Sequence, residues 1–83
     1  MIVTIPDLTS KDRRTLVRWS NRLAELDATT VVATYLGAGK FRVVHFDDAI
    51  ATYPDPDREA AHTWARRAMV HLGRTFAYTV SEG

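Results

Sequence analysis

The stretch TVVATYLGAGKFRVVHF, residues 30–46, decides the fold of this 83-residue chain. Residues 30–36 alternate between the two faces of a strand, and residues 41–46 return as a partner strand. Residues 37–40, Gly-Ala-Gly-Lys, lie between the two runs. A short loop that contains glycine and joins two such runs is a strong hairpin signal. The centre of the chain is therefore predicted to be a β-hairpin.

A helical pattern precedes this hairpin, over about residues 9–27. Thr9 is placed to cap the helix, and Asp12 follows three residues later in a position that resembles a capping box and suits the helix dipole. Apolar side chains recur at spacings of three and four, which predicts one buried stripe. That stripe consists of Leu16, Trp19, Leu23 and Leu26.

A second helical pattern follows the hairpin, over residues 56–72. Asp55 is a good N-cap, and Pro56 occupies the first helical position, where the N–H group that it lacks is not needed. Gly73 supplies a C-terminal stop. Small alanines on the expected buried side favour a close approach to a sheet, with one large anchor among them. The predicted stripe consists of Ala61, Trp64, Ala65, Ala68 and Leu72.

Apolar runs at both ends of the chain, residues 2–5 and 75–80, complete the pattern as two further strands. The order strand, helix, hairpin, helix, strand predicts one α+β domain over residues 1–83, a two-layer sandwich with both helices on one face. The ferredoxin-like order βαββαβ is favoured, with the first and last strands at the centre of the sheet. The alternative takes residues 49–53 as a third hairpin strand, which gives an αβββα core with extra terminal strands.

The composition restricts the class of protein. The chain has no cysteine, so it contains no disulfide and no thiolate metal cluster, and a net charge of +1 is not that of a protein that coats nucleic acid. Its start does not resemble a signal peptide and no apolar run reaches membrane-spanning length, which predicts a soluble, cytoplasmic protein. Nine arginines against two lysines are typical of high-GC coding, as in actinobacteria or their phages.

The residues that carry most enzymatic chemistry are few and scattered. The three histidines are His45, His62 and His71. His62 and His71 are nine residues apart and fall on opposite sides of the second helix, so they cannot share a metal ion. No spacing pairs a nucleophile with a base. The sequence therefore predicts no catalytic site, no metal site and no cofactor, and the protein is not expected to be an enzyme.

Two groups of residues indicate an interaction surface instead. Basic side chains, with Lys11 as the first, repeat along helix one at nearly helical spacing, and Val17 is expected to project opposite the buried stripe. On helix two, an apolar residue is expected on the outer arc among arginines. An apolar anchor with a polar rim is typical of a protein interface. The candidate interaction residues are Arg14, Val17, Arg18, Arg22, Arg66 and Val70.

These residues predict a small regulatory or adaptor module that acts through protein contacts, with the arginines pairing with carboxylates, and that associates with itself as a homodimer. The alternative is a nucleic-acid-binding protein that places the helix-one arginines on the phosphate backbone, which would make binding steeply salt-dependent. A third alternative is a dimer that binds a small molecule in the cleft of its sheet.

The sheet gives one more expectation. Both faces of the hairpin strands are apolar, yet helices cover only one face of a two-layer sandwich. The second face, which carries Val32, Leu36, Val44 and Phe46, is expected to pack on a second copy, on a partner or on stacked bases, unless loops or residues 49–53 cover it.

Overall fold

The computed structural model describes residues 1–25, 31–46 and 48–83 and confirms an α+β architecture. Two long helices pack on a four-stranded antiparallel sheet. In chain order the elements are β1 (Ile2–Thr4), α1 (Ser10–Glu25), β2 (Val31–Gly37), β3 (Lys40–His45), α2 (Asp48–Ala51), α3 (Pro56–Leu72) and β4 (Thr79–Ser81).

The strand order across the sheet is β2-β3-β1-β4. Strand β1 pairs with β3 on one side, with Val3 opposite Phe41, and with β4 on the other side, with Val3 opposite Val80. The prediction that the last strand is central is wrong, because β4 is three residues long and lies at an edge. The central strands are β1 and β3, and their inward-facing residues are at least as deeply buried as those of the edge strands.

Residues 48–51 form the short helix α2, so the alternative of a third hairpin strand is wrong. Ile50 is buried and α2 packs against α3, whereas Ala51, Thr52 and Tyr53 are exposed. One buried residue followed by three exposed residues fits a turn of helix that docks a single side chain. It does not fit a strand, in which alternate residues are buried.

The hairpin lies where the sequence predicts it. Its turn uses a left-handed backbone at three successive residues, with φ of 93° at Gly37, 54° at Ala38 and 73° at Gly39. The Ile5 N–H donates to the Gly39 carbonyl at 2.9 Å, and a Cβ atom at Gly39 would lie 2.6 Å from the Ile5 carbonyl oxygen. Glycine is therefore required at Gly39 both for its φ angle and for this close approach.

Helix α3 forms the centre of the core. Its bounds are those predicted, because both ends are capped: the Arg58 N–H donates to Asp55 Oδ1 at 3.2 Å, and Gly73 adopts a left-handed conformation. Trp64 packs on Phe41 with ring centroids 4.7 Å apart. The small side chains around Trp64 are fully buried and let the helix approach the sheet closely; they are Ala60, Ala61, Ala65 and Ala68.

Helix α1 is capped as predicted, since the Asp12 N–H donates to Thr9 Oγ1 at 3.1 Å, but its buried stripe differs from the prediction. Leu16 and Ser20, one turn apart, are its two buried residues, and Trp19 is only partly buried. The small Ser20 side chain lets the helix backbone approach the core, which rotates Trp19 toward the surface. Leu26 and the predicted end of the helix lie outside the described residues.

Three apolar side chains on the second face of the sheet are exposed in the described part of the chain, whereas Ile2 and Val32 are partly buried. Leu36 is 45 % exposed, Val44 is 42 % exposed and Phe46, which follows β3, is 73 % exposed. Helix α2 lies against α3 and not across this face, so the expectation that residues 49–53 cover it is wrong. No helix among the described residues is both long and apolar enough to cross a membrane.

Candidate binding groove between the long helices

The outer side of α1 presents a row of arginines. Arg14, Arg18 and Arg22 are spaced four residues apart and all are exposed, as the sequence predicts. Within the described part of the chain, none of the three forms an ion pair. Their guanidinium groups are therefore available to an external anion.

Helix α3 contributes a second set of side chains. Val70 is 82 % exposed, which confirms the expected apolar residue on the outer arc, and Arg66 and Arg67 are exposed nearby. Arg66 is not free, because its Nη2 lies 3.4 Å from Glu59 Oε1 and 3.3 Å from Thr63 Oγ1. These contacts fix the direction of one guanidinium along the helix.

An aromatic stack joins the two helices. The rings of Trp19 and His71 lie 4.9 Å apart with an interplanar angle of 13°. Trp19 also contacts Trp64, with ring centroids 6.2 Å apart, so the stack continues into the core. The sequence did not predict this pair, because the contact between residues 52 positions apart depends on how the helices pack.

Two adjoining hollows share this stack, and together we call them the helical groove. One hollow is lined by Thr15, Arg18, Trp19, Asn21, Arg22, Glu25 and His71. The other is lined by Trp19, Leu23, Arg66, Arg67, Val70 and His71. The lining of the groove therefore contains four arginines and one carboxylate, that of Glu25, around the apolar side chains. This excess of positive charge makes the groove electropositive.

The six candidate interaction residues divide between two places. Arg18, Arg22, Arg66 and Val70 line the helical groove. Arg14 and Val17 do not: with Arg18 and Tyr35 they line a separate hollow where α1 meets β2. The expectation that Val17 points away from the core is wrong, because its side chain is partly buried and packs against the core cluster. The buried stripe is rotated toward Ser20, and that rotation turns Val17 inward.

One ion pair connects the start of α1 to the residue after the C-cap of α3. Arg74 Nε donates to Asp12 Oδ2 at 3.0 Å, and a second guanidinium nitrogen binds the same oxygen. The hydrogen bond and charge of Arg74 lower the pKa of Asp12 below its ordinary value, and the Thr9 hydroxyl lowers it further. This contact links the first turn of α1 to the segment that follows α3.

The three histidines lie in separate surroundings. His62 Nδ1 is 2.7 Å from the Tyr78 hydroxyl, His45 Nε2 is 3.3 Å from Asp57 Oδ1, and His71 stacks on Trp19. Over residues 1–25, 31–46 and 48–83, no three histidine, aspartate or glutamate side chains are arranged to hold a metal ion. The groove offers cationic and apolar contacts, and His71 is the histidine that lines it.

Comparison of the chain with protein-family models, with curated proteins and with solved structures finds no match. Its function is therefore inferred from its own residues.

Proposed function

We propose that this protein is a non-enzymatic binding module that holds an acidic, partly apolar segment of another protein in the helical groove. The observation that carries the proposal is Val70, which is 82 % exposed at the edge of a groove rimmed by arginines. An exposed apolar side chain gains free energy when a partner covers it, and surrounding arginines bind carboxylates with good geometry.

The charge of the groove selects the chemistry of the partner. Arg18 and Arg22 have no ion-pair partner among the described residues, and Arg67 lines the same hollow as Val70. A peptide with carboxylates on both sides of a leucine or phenylalanine places an apolar group on Val70 and Trp19 and an anion near each arginine. Such an arrangement, with a few buried anchors inside a charged rim, is common in protein interfaces.

Nucleic acid fits the groove less well. Sequence-tolerant binding of single strands relies on bases that stack on exposed aromatic faces. His71 covers one face of the Trp19 ring, and the ring also contacts Trp64. On the second face of the sheet Phe46, which follows β3, is an exposed ring, but the described strand positions beside it carry no second aromatic side chain on which a neighbouring base could stack. Contacts to phosphate alone would leave Val70 uncovered.

The test is fluorescence anisotropy with two labelled probes. One is a peptide of about 15 residues with leucines at helical spacing and glutamates elsewhere, and the other is an oligothymidylate of similar length. We expect the peptide to bind and to retain measurable affinity at about 300 mM salt, because part of the contact is apolar. Binding of the oligonucleotide alone, with a steep loss as salt rises, would replace this proposal with the nucleic-acid alternative.

Matched variants locate the contact. Val70→Asp should weaken peptide binding about tenfold or more, which corresponds to about 1.4 kcal/mol. The control is Thr79→Asp, at an exposed position on β4 that does not line the groove. Equal affinities for the two variants, or no peptide binding by the natural chain at low salt, would contradict the proposal.

A further inference from the structure

A second group of arginines lies where α1 meets β2. The hollow at this place, which we call the arginine hollow, is lined by Arg13, Arg14, Val17, Arg18, Asn21 and Tyr35. The three arginines are exposed, and within the described part of the chain none of them forms an ion pair. No carboxylate of the described residues lines this hollow. The positive charge of the arginines is therefore not compensated on the lining, and the hollow attracts anions.

Tyr35 supplies a hydrogen-bond donor that is held in place. Its ring packs on that of Phe41, with centroids 4.9 Å apart, and its hydroxyl accepts a hydrogen bond from the Gly39 N–H at 3.2 Å. Because the hydroxyl accepts in that bond, its own hydrogen remains available, and no described residue accepts it. The exposed Asn21 adds an amide that can also donate. Neutral donors thus accompany the three guanidinium groups.

These donors match a phosphate monoester better than a carboxylate. A carboxylate carries one negative charge, whereas a phosphate monoester carries about −1.5 to −2 at pH 7 and has three strong acceptor oxygens. A guanidinium group binds two phosphate oxygens at once through parallel hydrogen bonds. We propose that the arginine hollow binds a phosphate monoester, carried either by a phosphorylated side chain of another protein or by a small phosphorylated molecule.

The apolar part of the lining accommodates the organic part of the ester. Val17 is partly buried and packs against the core, and the ring of Tyr35 is partly buried as well. A carbon group next to the phosphate contacts these two side chains while the phosphate stays near the arginines. A phosphodiester fits less well, because its single negative charge leaves more of the positive charge uncompensated.

Titration with phenyl phosphate, followed by ¹H–¹⁵N correlation spectra, is the direct test. Saturable binding should shift the amides of Arg14, Val17 and Tyr35. Benzenesulfonate is the matched probe, because it has the same ring and three head-group oxygens but only one negative charge. Phenyl phosphate should bind at least about tenfold more tightly than benzenesulfonate. Equal affinities, or shifts that do not saturate, would overturn the proposal.

Two variants with the same loss of charge locate the site. Arg14→Gln should weaken the binding of phenyl phosphate at least about tenfold. Arg42→Gln is the control, since Arg42 is exposed on β3 and opposes Thr34 of β2, on the second face of the sheet. Circular dichroism checks that both variants fold, and Arg13→Gln serves as a second substitution in the hollow. Equal losses in the hollow variants and in Arg42→Gln would overturn the proposal, because net charge alone would then determine binding.

A third probe distinguishes the two sources of the phosphate. A short neutral peptide with one phosphoserine that binds at least about tenfold more tightly than phenyl phosphate would assign the site to phosphorylated proteins, provided that the unphosphorylated peptide does not bind. A phosphopeptide that binds no more tightly than phenyl phosphate would assign the site to small molecules. An oligothymidylate that shifts the same amides with equal affinity would overturn the proposal in favour of phosphodiesters.

The proposal does not depend on the acidic peptide in the helical groove. Arg14 and Val17 line the arginine hollow and do not line the groove. Arg14→Gln should therefore weaken the binding of the acidic peptide no more than Arg42→Gln does. Loss of phosphate binding without loss of peptide binding is the expected result. Failure of one proposal leaves the other unaffected.

Discussion

Helices α3 and α1 have similar lengths, 17 and 16 residues, but they contribute unequally to the buried core. Helix α3 buries five residues completely or almost so, including Trp64, and all but that one are alanines. Helix α1 buries only Leu16 and Ser20. One helix therefore provides most of the packing, and the other is left with side chains that a partner can use.

The same contrast holds for charge. Two arginines of α3 are paired, Arg58 with Asp55 and Arg66 with Glu59. By contrast, Arg14, Arg18 and Arg22 of α1 have no ion-pair partner among the described residues. Because α3 holds the core, α1 can carry an uncompensated row of cations at low cost to stability. We therefore expect substitutions on α3 to change folding and most substitutions on the outer side of α1 to change binding.

The largest expected effect is the loss of the Trp64 ring. Trp64→Ala removes a fully buried side chain that contacts Phe41 and Trp19, and should lower the free energy of unfolding by about 3–5 kcal/mol. Urea unfolding followed by circular dichroism measures the change. The Trp19 ring is only partly buried, so Trp19→Ala should lower the free energy of unfolding by less than half as much. Equal losses would contradict the division between the helices.

The close approach of α3 gives the next test. Ala65→Leu adds three carbons where α3 meets the sheet and should destabilise the protein by about 1–3 kcal/mol through overpacking. The same change at the exposed Ala24 of α1 should stay within about 0.5 kcal/mol. Differential scanning calorimetry of the two variants compares them directly. A tolerated leucine at Ala65 would mean that the small residues of α3 are not needed for packing.

A smaller effect of opposite sign is expected at Ser20. Its hydroxyl is buried and has no hydrogen-bond partner among the described residues. Ser20→Ala removes this unsatisfied group and should stabilise the protein by about 1 kcal/mol, measured by urea unfolding. Ser10→Ala, at the exposed first residue of α1, serves as the control. Destabilisation by Ser20→Ala would show that the hydroxyl has a favourable contact.

The ion pair between Asp12 and Arg74 predicts that the free energy of unfolding depends on pH. The pKa of Asp12 is lower in the folded protein than in the unfolded chain, so the folded state binds fewer protons. Its contribution to stability is present above the unfolded pKa and is lost as pH falls through the folded pKa. Asp12→Asn should remove this part of the pH dependence in urea titrations between about pH 7 and pH 2. An unchanged pH profile would show that the pair does not stabilise the fold.

The sequence predicts the bounds of α3 because the signals at both ends are local: Asp55 and Pro56 begin the helix, and Gly73 ends it. Strand order is different, since the position of β4 at the edge depends on pairings between distant residues, and a terminal apolar run fits an edge or a centre equally well. The helix over residues 48–51 could not be predicted, because a short apolar run has no period long enough to distinguish a helix from a strand.

The site could be predicted only in its surface residues. The helical period alone shows that Arg18, Arg22 and Val70 are exposed. The Trp19–His71 stack requires the packing of α1 on α3. Val17 faces inward because the buried side of α1 is centred on Leu16 and Ser20. A serine four residues after Leu16 was the one signal of this rotation, and its polarity hides it from a pattern based on hydrophobicity.

One measurement tests the groove directly. In a ¹H–¹⁵N correlation spectrum, the indole N–H signals of Trp19 and Trp64 report on the groove and on the core respectively. Titration with the glutamate- and leucine-rich peptide should shift the Trp19 indole and the amides of Val70 and His71, and leave those of Val44 and Phe46 in place. Shifts confined to Val44 and Phe46, or no shifts at peptide excess, would contradict the assignment of the groove as the binding site.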